Sequence, residues 1–222
     1  MINFKKEIVQ TKDGSNTIFL PEINEHYHSH HGAIQESKHV FILNGLDYFK
    51  NVKDLKILEI GFGTGLNALL TYLYSQNKSI FYNGIEAFPL EMDLYSSLNF
   101  STLIENLKVE IIEKIQLSEW NKEIEISPTF TLFKTNQKIQ EYTLNNEMYD
   151  LIYFDAFGPR VQAEMWSNEI LNKMYNSLKK GGIFVTYCAK GQVKRDLKAQ
   201  GFFVETLEGP PGKREMTRAI KM

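Results

Sequence analysis

The stretch Lys-Ile-Leu-Glu-Ile-Gly-Phe-Gly-Thr-Gly at residues 56–65 decides the fold of this chain. Ile57, Leu58 and Ile60 predict a short buried strand, which runs directly into three glycines and then into an apolar helix over 66–74. A strand that turns through glycine and opens a helix lets the backbone come very close to a ligand. The stretch therefore predicts a binding loop in an α/β protein.

The spacing of the glycines separates this loop from a dinucleotide-binding loop. A dinucleotide fingerprint has glycine at its first, third and sixth positions, whereas those positions here hold Gly61, Gly63 and Leu66. The tighter Gly-x-Gly-x-Gly form, completed by Gly65, suits a ligand with a carboxylate and ammonium tail better than a pyrophosphate. Glu59, just before the loop, is placed to meet that ammonium. The alternative is a plain strand-to-helix turn, since such turns are common in this architecture.

Length and composition fit a single domain without a disulfide. The 222 residues are 43% hydrophobic, which is enough for one core. The one cysteine, Cys188, excludes an internal disulfide and any cluster of several cysteines on a metal. The first residues lack the apolar segment of a signal peptide, and no apolar run is long enough to span a bilayer. We therefore expect a cytoplasmic protein without a membrane partner.

Charge is unevenly distributed along the chain. The net charge of −2 argues against a strongly basic nucleic-acid binder. Residues 179–222, however, hold ten Lys and Arg against four Asp and Glu. This pattern indicates one basic face on a mildly acidic body, and a solvated basic surface without a partner is an equally good interpretation.

Predicted strands and helices alternate along the chain. The N-terminal part predicts a hairpin and a helix, and residues 90–126 are mixed and mostly helical. Pro89 is expected at the start of a helix, and Gly181 and Gly182 at the end of one. The predicted strands cover 7–10, 17–20, 79–86, 130–133, 149–155, 183–188, 202–207 and 216–221, and the predicted helices 32–44, 66–74, 170–178 and 192–200.

This alternation predicts an α/β fold with a mixed, mostly parallel sheet, helices on both faces and an antiparallel edge. The fold class is Rossmann-like. Residues 1–50 are expected to form a hairpin-and-helix extension that caps the same domain, and residues 51–222 the main domain.

Three polar residues follow predicted parallel strands, where ligands bind in such sheets. Glu86 ends the second strand roughly 20 residues beyond the loop, where an acid holds a ribose hydroxyl pair. Asn136 follows the third strand, a weaker candidate near an adenine. Asp155 ends the most apolar strand, so its carboxylate could hold an amine nucleophile and accept the proton that the reaction releases. The alternatives are a solvated strand-end glutamate at position 86 and a turn-stabilising aspartate at position 155.

Two further groups carry weaker signals. Four histidines, His26, His28, His30 and His31, stand close together, and the alternate ones would share one face of a strand, but they lack acidic or cysteine partners at metal-ligand spacing. We expect no metal and interpret this segment as a polar, mobile surface. Near the C-terminus, the stiff loop over 209–215 presents two cations, which could contact phosphate or simply be solvated.

Together these stretches resemble the family of tRNA 5-methylaminomethyl-2-thiouridine methyltransferases. The matching segments run nearly end to end, and several are specific to the family rather than to the fold. They are 13–15 (Asp-Gly-Ser), 25–29 (Glu-His-Tyr-His-Ser), 32–33, 36–37, 40–41, 45–46, 59–67 (Glu-Ile-Gly-Phe-Gly-Thr-Gly-Leu-Asn), 153–159 (Tyr-Phe-Asp-Ala-Phe-Gly-Pro), 165–166, 181–182, 186–187 and 212–216 (Gly-Lys-Arg-Glu-Met).

The resemblance implies a class I methyltransferase that uses S-adenosylmethionine (SAM) to methylate the 5-aminomethyl group of a (2-thio)uridine at the tRNA wobble position. Asp155 matches the family's catalytic acid. Implied cofactor residues are Glu59, Gly61, Phe62, Gly63, Thr64, Gly65, Asn67, Glu86, Asn136 and Asp155, and implied acceptor residues are Tyr27, Ser29, Glu36, Phe157, Lys213 and Arg214. The family usually carries Gly-Asp after the third strand, where this chain has Lys-Thr-Asn at 134–136, so a role for Asn136 is in doubt.

The resemblance also implies partners and leaves rival functions open. The chain looks like a stand-alone form without the flavin-dependent oxidase that some relatives carry, so other enzymes must supply its aminomethyl-uridine substrate in the anticodon of tRNA. One rival is an aminopropyltransferase of the spermidine synthase kind, which would act on a small polyamine. Another is a catalytically silent module that binds SAM or a nucleoside.

Overall fold

The computed structural model describes residues 4–75 and 77–222. Its strands are β1 (Glu7–Gln10), β2 (Asn16–Leu20), β3 (Glu25–His26), β4 (Asp54–Ile60), β5 (Ser79–Glu86), β6 (Glu123–Ser127), β7 (Phe130–Asn136), β8 (Tyr149–Phe154), β9 (Leu178–Thr186), β10 (Phe202–Glu208) and β11 (Glu215–Lys221). Its α-helices are α1 (Ala33–Ser37), α2 (Leu66–Tyr74), α3 (Met92–Ser96), α4 (Phe100–Leu103), α5 (Val109–Leu117), α6 (Asn168–Ser177) and α7 (Gly191–Ala199).

Eight strands form the central sheet in the order β10-β11-β9-β8-β4-β5-β7-β6. Strands β7, β5, β4, β8 and β9 run parallel, and β11 joins β9 antiparallel and pairs with β10. The chain order reverses between β4 and β8, so the loops after these two strands open into the crevice where ligands bind in such sheets. The predicted Rossmann-like fold class, with its antiparallel edge, is confirmed.

Both faces of the central sheet are covered. Alternate residues of β4 point to opposite sides, because Ile57 packs into one apolar cluster and Leu58 into the other. The first cluster includes buried residues of α1, α2 and α5, and the second those of α6 and α7. Continuous apolar strands such as β8 are required by this arrangement, since both of their faces are buried.

The N-terminal residues form a separate small sheet and a helical segment. The predicted hairpin is confirmed, since β1 pairs antiparallel with β2, and the short β3 adds to its other edge. Helix α1 continues as a π-helical turn over Lys38–Leu43, and a 3₁₀ helix follows over Leu46–Phe49. Buried residues of both the hairpin and this segment belong to the first apolar cluster.

The structure corrects three sequence predictions about elements. Helix α6 ends at Ser177, and the glycines at 181 and 182 lie inside β9, where the pairing with β8 is irregular. The helix after Pro89 begins only at Met92. Residues 123–127, predicted within a mostly helical stretch, form the edge strand β6, because their alternating sequence pairs antiparallel with β7.

Candidate functional site

The glycine loop after β4 takes a conformation that favours glycine. Gly61, Gly63 and Gly65 have φ values of 89°, 50° and 77°, in the left-handed region. At Gly61 a Cβ atom would lie 2.8 Å from the backbone oxygen of Asp155, so the loop and the end of β8 are in close contact. The Asp155 amide completes this contact by donating to the Ile60 carbonyl at 2.9 Å.

A buried hydrogen-bond network supports the Asp155 carboxylate. The side-chain amide of Asn67 donates to Asp155 Oδ2 at 2.9 Å and to Glu59 Oε1 at 2.7 Å. Ser37 Oγ donates to the Asn67 carbonyl oxygen, which fixes the orientation of the amide. Because Asn67 sits in the first turn of α2, the helix that follows the glycine loop holds the carboxylate at the end of β8.

Glu59 lies inside the fold rather than at the surface of the loop. Its side chain is 0% exposed, and its second oxygen accepts a hydrogen bond from the Tyr82 hydroxyl at 2.8 Å. Burial raises the pKa of this carboxyl well above its usual range. In this conformation Glu59 orients Asn67, and direct contact with a ligand ammonium stays a prediction.

The Asp155 carboxyl is poised near neutrality. Burial raises its pKa to about 7, the Asn67 hydrogen bond opposes this rise, and the nearby charges of Glu36 and Lys213 act in opposite directions. A carboxylate with such a pKa can accept a proton at neutral pH, as a general base requires.

Glu86 closes the other side of the glycine loop. Its carboxylate accepts hydrogen bonds from the Gly63 amide at 3.0 Å and the Phe88 amide at 2.9 Å. Burial raises the pKa of the Glu86 carboxyl. Asn136 pairs with Glu86 in the strand register and is exposed, so both polar side chains stand at the same edge of the sheet.

Two other residues of the loop face inward. The Phe62 ring is 2% exposed and packs against Gly65, Gly84 and Trp120. Thr64 is 1% exposed, and its carbonyl accepts a hydrogen bond from Gln116 at 2.9 Å. Their side chains therefore shape the loop from below, and a ligand on the loop surface would meet backbone atoms.

The segment after β3 lies against the glycine loop. The Tyr27 ring would be 3.2 Å from a Cβ atom at Gly63, and it packs edge to face with Phe157 at 5.6 Å between centroids. Ser29 donates its amide to Glu36 Oε2 at 2.9 Å. The structure thus brings these predicted acceptor residues to the same rim as Asp155.

His28 was predicted to lie on a mobile polar surface, whereas its imidazole joins the small sheet to the loop. Its Nδ1 lies 3.0 Å from Thr17 Oγ1 and its Nε2 lies 3.2 Å from Thr64 Oγ1. Burial lowers the pKa of His28 to about 4, so the ring is neutral at pH 7. Within residues 4–75 and 77–222, no group of three or more His, Cys, Asp or Glu side chains could hold a metal ion.

The two cations of the C-terminal loop have different surroundings. Lys213 Nζ pairs with Glu36 Oε1 and lies 4.0 Å above the centroid of the Tyr187 ring, whereas Arg214 is exposed. Tyr187 donates its hydroxyl to the Ala156 carbonyl at 2.9 Å. Tyr187 was not among the site residues predicted from the sequence, although the pair 186–187 (Thr-Tyr) is one of the segments that match the family.

A cleft of about 530 Å³ lies next to the Lys213–Tyr187 contact. Its lining combines the turn after β8, the loop after β9 and the C-terminal loop. The lining residues are Gly158, Pro159, Tyr187, Cys188, Ala189, Lys190, Lys213, Arg214 and Glu215. Its volume lies in the range of small-molecule sites, and three of its residues are basic.

The fold and the glycine loop define a Rossmann-like domain of the class I methyltransferase type. A family model described as S-adenosyl-L-methionine-dependent methyltransferase matches residues 99–222. The chain belongs to this family of SAM-dependent methyltransferases, and SAM is therefore its methyl donor.

Individual relatives agree with this assignment. The bifunctional protein MnmC of tRNA 5-methylaminomethyl-2-thiouridine biosynthesis from Cupriavidus metallidurans is 27% identical over 96% of this chain and 33% of its own length. Its Leptospira interrogans counterpart is 30% identical over 88% and 32%. The chain thus spans about a third of the length of these curated relatives. The crystal structure of MnmC2 from Aquifex aeolicus superposes with a TM-score of 0.82 at 26% identity, covering 100% of this chain and 71% of that one.

A more distant structure shows the fold alone. Spermidine synthase from Thermotoga maritima superposes with a TM-score of 0.54 at 12% identity, over 98% of this chain and 74% of that one. In the part of the chain that the structure describes, every helix is too short or too polar to cross a membrane.

The geometry of the glycine loop and of Glu86 is compatible with bound SAM. The left-handed glycines leave backbone exposed where a side chain would otherwise stand, and the Glu86 carboxylate lies beside them with hydrogen bonds from two amides. A carboxylate in that position can accept hydrogen bonds from ribose hydroxyls. Neither the exposed loop backbone nor the Glu86 carboxylate has a feature that excludes a ligand with an ammonium and carboxylate tail.

Proposed function

We propose that this protein transfers a methyl group from SAM to the primary amine of 5-aminomethyl-(2-thio)uridine at the tRNA wobble position. The observation that carries the proposal is the position of the Asp155 carboxylate, which Asn67 holds against the glycine loop and whose pKa is raised by burial to about 7. The names of the most similar curated proteins support the tRNA substrate.

The acceptor must lose a proton before it can react. A primary alkyl amine resembles the lysine side chain, with a pKa of about 10.4, so it arrives as an ammonium ion. Asp155 accepts one proton from this ammonium, and the lone pair on nitrogen becomes free to form the new N–C bond. When bound, SAM would supply an electrophilic methyl group on its sulfonium; the S–CH3 bond would break as the N–CH3 bond forms, and the electron pair would stay on the sulfur of S-adenosylhomocysteine. The Asp155 side chain then hydrogen-bonds the nitrogen, which becomes a secondary ammonium as the bond forms.

The remaining roles follow from the placement of the side chains. We assign the cofactor side to the glycine loop and its neighbours. Phe62 and Thr64 contribute through their backbone atoms, and Glu59 acts through Asn67. The other residues on this side are Glu86 and Asn136. Tyr27, Ser29 and Phe157 shape the acceptor side, and most of the rate gain comes from holding the amine in line with the methyl group. Arg214, exposed beside the cleft, contacts the phosphate backbone of the anticodon region.

The test is methyl transfer from labelled SAM to tRNA that carries 5-aminomethyl-2-thiouridine, with wild type, Asp155→Ala and Asp155→Asn. We expect wild type to methylate this tRNA and both variants to lose about 10²–10⁴-fold in kcat, because general base catalysis is worth that much. Equal turnover in all three proteins would reject the catalytic role of Asp155. Putrescine is offered as a second acceptor, and its preferred use would favour an aminopropyltransferase-like activity.

The proposal also sets the place of the protein in the cell. Its substrate is an already aminomethylated tRNA, so enzymes that build the aminomethyl group must act before it, and the reaction belongs in the cytoplasm. Cells that lack this protein should accumulate aminomethyl-uridine at the wobble position, which mass analysis of tRNA nucleosides detects. Binding of SAM without any methylated tRNA would instead favour a silent binding module.

A further inference from the structure

Glu36 is a buried carboxylate whose negative charge is balanced by a lysine. The residue is 8% exposed, and its Oε2 is already used by the Ser29 amide. Its Oε1 pairs with Lys213 Nζ, the cation that lies within ion-pair distance of it among the described residues. A protein is strongly destabilised when a buried carboxylate loses its charged partner. The Glu36 carboxylate therefore requires a cation beside it.

The Lys213 ammonium also lies on the face of an aromatic ring. Its Nζ is 4.0 Å from the centroid of Tyr187. The ring is held by the hydrogen bond from its hydroxyl to the Ala156 carbonyl, one residue after Asp155. A carboxylate and a ring face around one nitrogen form a binding site for a primary ammonium, whichever molecule supplies it.

This ammonium can leave the site. The Lys213 side chain is 32% exposed, and Lys213 and Tyr187 both line the 530 Å³ cleft. The ammonium sits at the end of a flexible four-carbon stem, so it can swing out without movement of the backbone. A ligand that enters the cleft therefore contacts Lys213 and Tyr187, which line the wall of the cleft.

We propose that Glu36 and Tyr187 recognise the primary ammonium of the acceptor, and that Lys213 occupies their site in the free protein until the substrate displaces it. The proposal rests on the function proposed above, because the acceptor there carries the same chemical group as lysine. Exchange of one ammonium for another keeps Glu36 paired while the substrate binds, before Asp155 takes the proton.

The exchange would provide selectivity. A wobble uridine without an aminomethyl group cannot replace Lys213, because the buried Glu36 carboxylate would lose its counterion. The opposing effects of Glu36 and Lys213 on the pKa of Asp155 agree with a short path from the recognition site to the reacting carboxylate.

The experiment compares the binding of two tRNAs that differ only at the wobble base, one with 5-aminomethyl-2-thiouridine and one with 2-thiouridine. Dissociation constants are measured by fluorescence anisotropy in the presence of S-adenosylhomocysteine, for wild type, Lys213→Met, Glu36→Gln and Arg214→Met. The ratio of the two constants in each protein isolates the contribution of the ammonium. Phosphate contacts and partial unfolding affect both tRNAs equally and cancel in this ratio.

For Lys213→Met we expect the preference for the aminomethyl tRNA to increase roughly five- to tenfold, because the internal competitor is gone. Glu36→Gln should reduce the preference at least about tenfold. The matched cation control, Arg214→Met, should weaken the binding of both tRNAs and leave the ratio unchanged. Lys213→Gln repeats the test if the methionine variant folds poorly.

An unchanged or smaller preference in both Lys213 variants would show that the lysine is a fixed structural partner and would overturn the proposal, while the proposed function would survive if wild type still methylates the aminomethyl tRNA. A wild type that neither prefers nor methylates that tRNA would overturn both.

Discussion

At the scale of single residues, the site depends on one side-chain amide shared between two carboxylates. Asn67 donates one hydrogen to Glu59 and the other to Asp155, and Ser37 holds its oxygen. When two buried carboxylates lie close to one shared donor, the negative charge of one makes ionisation of the other less favourable. The amide therefore sets how readily Asp155 takes up a proton.

Asn67→Ala should move the acid limb of the pH–kcat profile to higher pH. Loss of the hydrogen bond to the charged form raises the pKa of Asp155 above its present value of about 7, so the base is inactive over a wider range. We expect a loss of roughly 10–100-fold in kcat near neutral pH and partial recovery at about pH 9. The profile is measured by methyl transfer to aminomethyl tRNA.

Asn83→Ala is the matched control for this variant. Asn83 is an equally buried asparagine in the same sheet, where it bonds Tyr149 and Thr135 instead of the site. It should lose stability without any shift of the profile. The same profile for Asn67→Ala and Asn83→Ala would contradict the role given to Asn67.

Asp155→Asn should stabilise the protein in alkaline solution. The folded-state pKa of about 7 lies above the ordinary value of 3.8, so the carboxyl favours folding below the lower value and this advantage is lost as pH rises through 7. An asparagine carries no charge to bury and can still accept from Asn67. We expect a melting temperature higher than wild type by roughly 2–8 °C at about pH 8 and little gain at about pH 4. A gain that does not depend on pH would contradict this origin.

At the scale of elements, the site is the meeting of the β4–α2 turn with the end of β8. The close approach of Gly61 to the Asp155 carbonyl permits this meeting, since any side chain at 61 would fall on backbone atoms. Backbone cannot move aside as the end of a flexible side chain can. The two strands therefore depend on glycine at this position for their relative placement.

Gly61→Ala should destabilise the fold and weaken SAM binding. It combines an unfavourable positive φ with a contact of 2.8 Å to backbone, so we expect a cost of about 2–4 kcal/mol. Gly181→Ala is the matched control, because Gly181 has φ of 79° but nothing within 4 Å of its Cβ position. Its cost should stay near 1 kcal/mol, or about the strain alone. Chemical denaturation and SAM calorimetry measure both; equal costs would exclude the steric contribution.

At the scale of the whole molecule, several side-chain contacts bind the N-terminal residues to the rest of the domain, among them the hydrogen bond of Ser37 to Asn67 and the ion pair of Glu25 with Arg160. His28 joins Thr17 of the small sheet to Thr64 of the glycine loop, and Glu36 joins α1 to Lys213. Both contacts connect parts of the chain that are far apart in sequence. We propose that residues 1–50 act as a cap on the methyltransferase domain over 51–222.

His28→Ala should loosen the cap while the sheet stays intact. We expect faster amide hydrogen exchange in residues 4–31 and weaker SAM binding, with little change in β8 and β9. His30→Ala is the control, because His30 is exposed. A uniform increase of exchange over the whole chain would indicate a general loss of stability and contradict a local role.

Local signals in the sequence determined much of the fold. The bounds of α2 and β5 agree with those predicted, because a continuous apolar pattern and flanking turn residues specify such elements without distant partners. The glycine loop and the acids that end β5 and β8 were recognised for the same reason. Strand β6 was missed, since a short polar edge strand is defined by its pairing with β7.

Only the tertiary structure decided what each polar side chain does. The residue before the loop, Glu59, alternates along β4 to the same face as Ile57, and there it meets Tyr82 and Asn67 instead of solvent. Lys213 likewise pairs with the buried carboxylate of Glu36, which lies 177 positions away in the sequence. Sequence patterns specify elements because their causes are local, whereas hydrogen bonds and ion pairs depend on which distant atoms packing brings within about 3 Å.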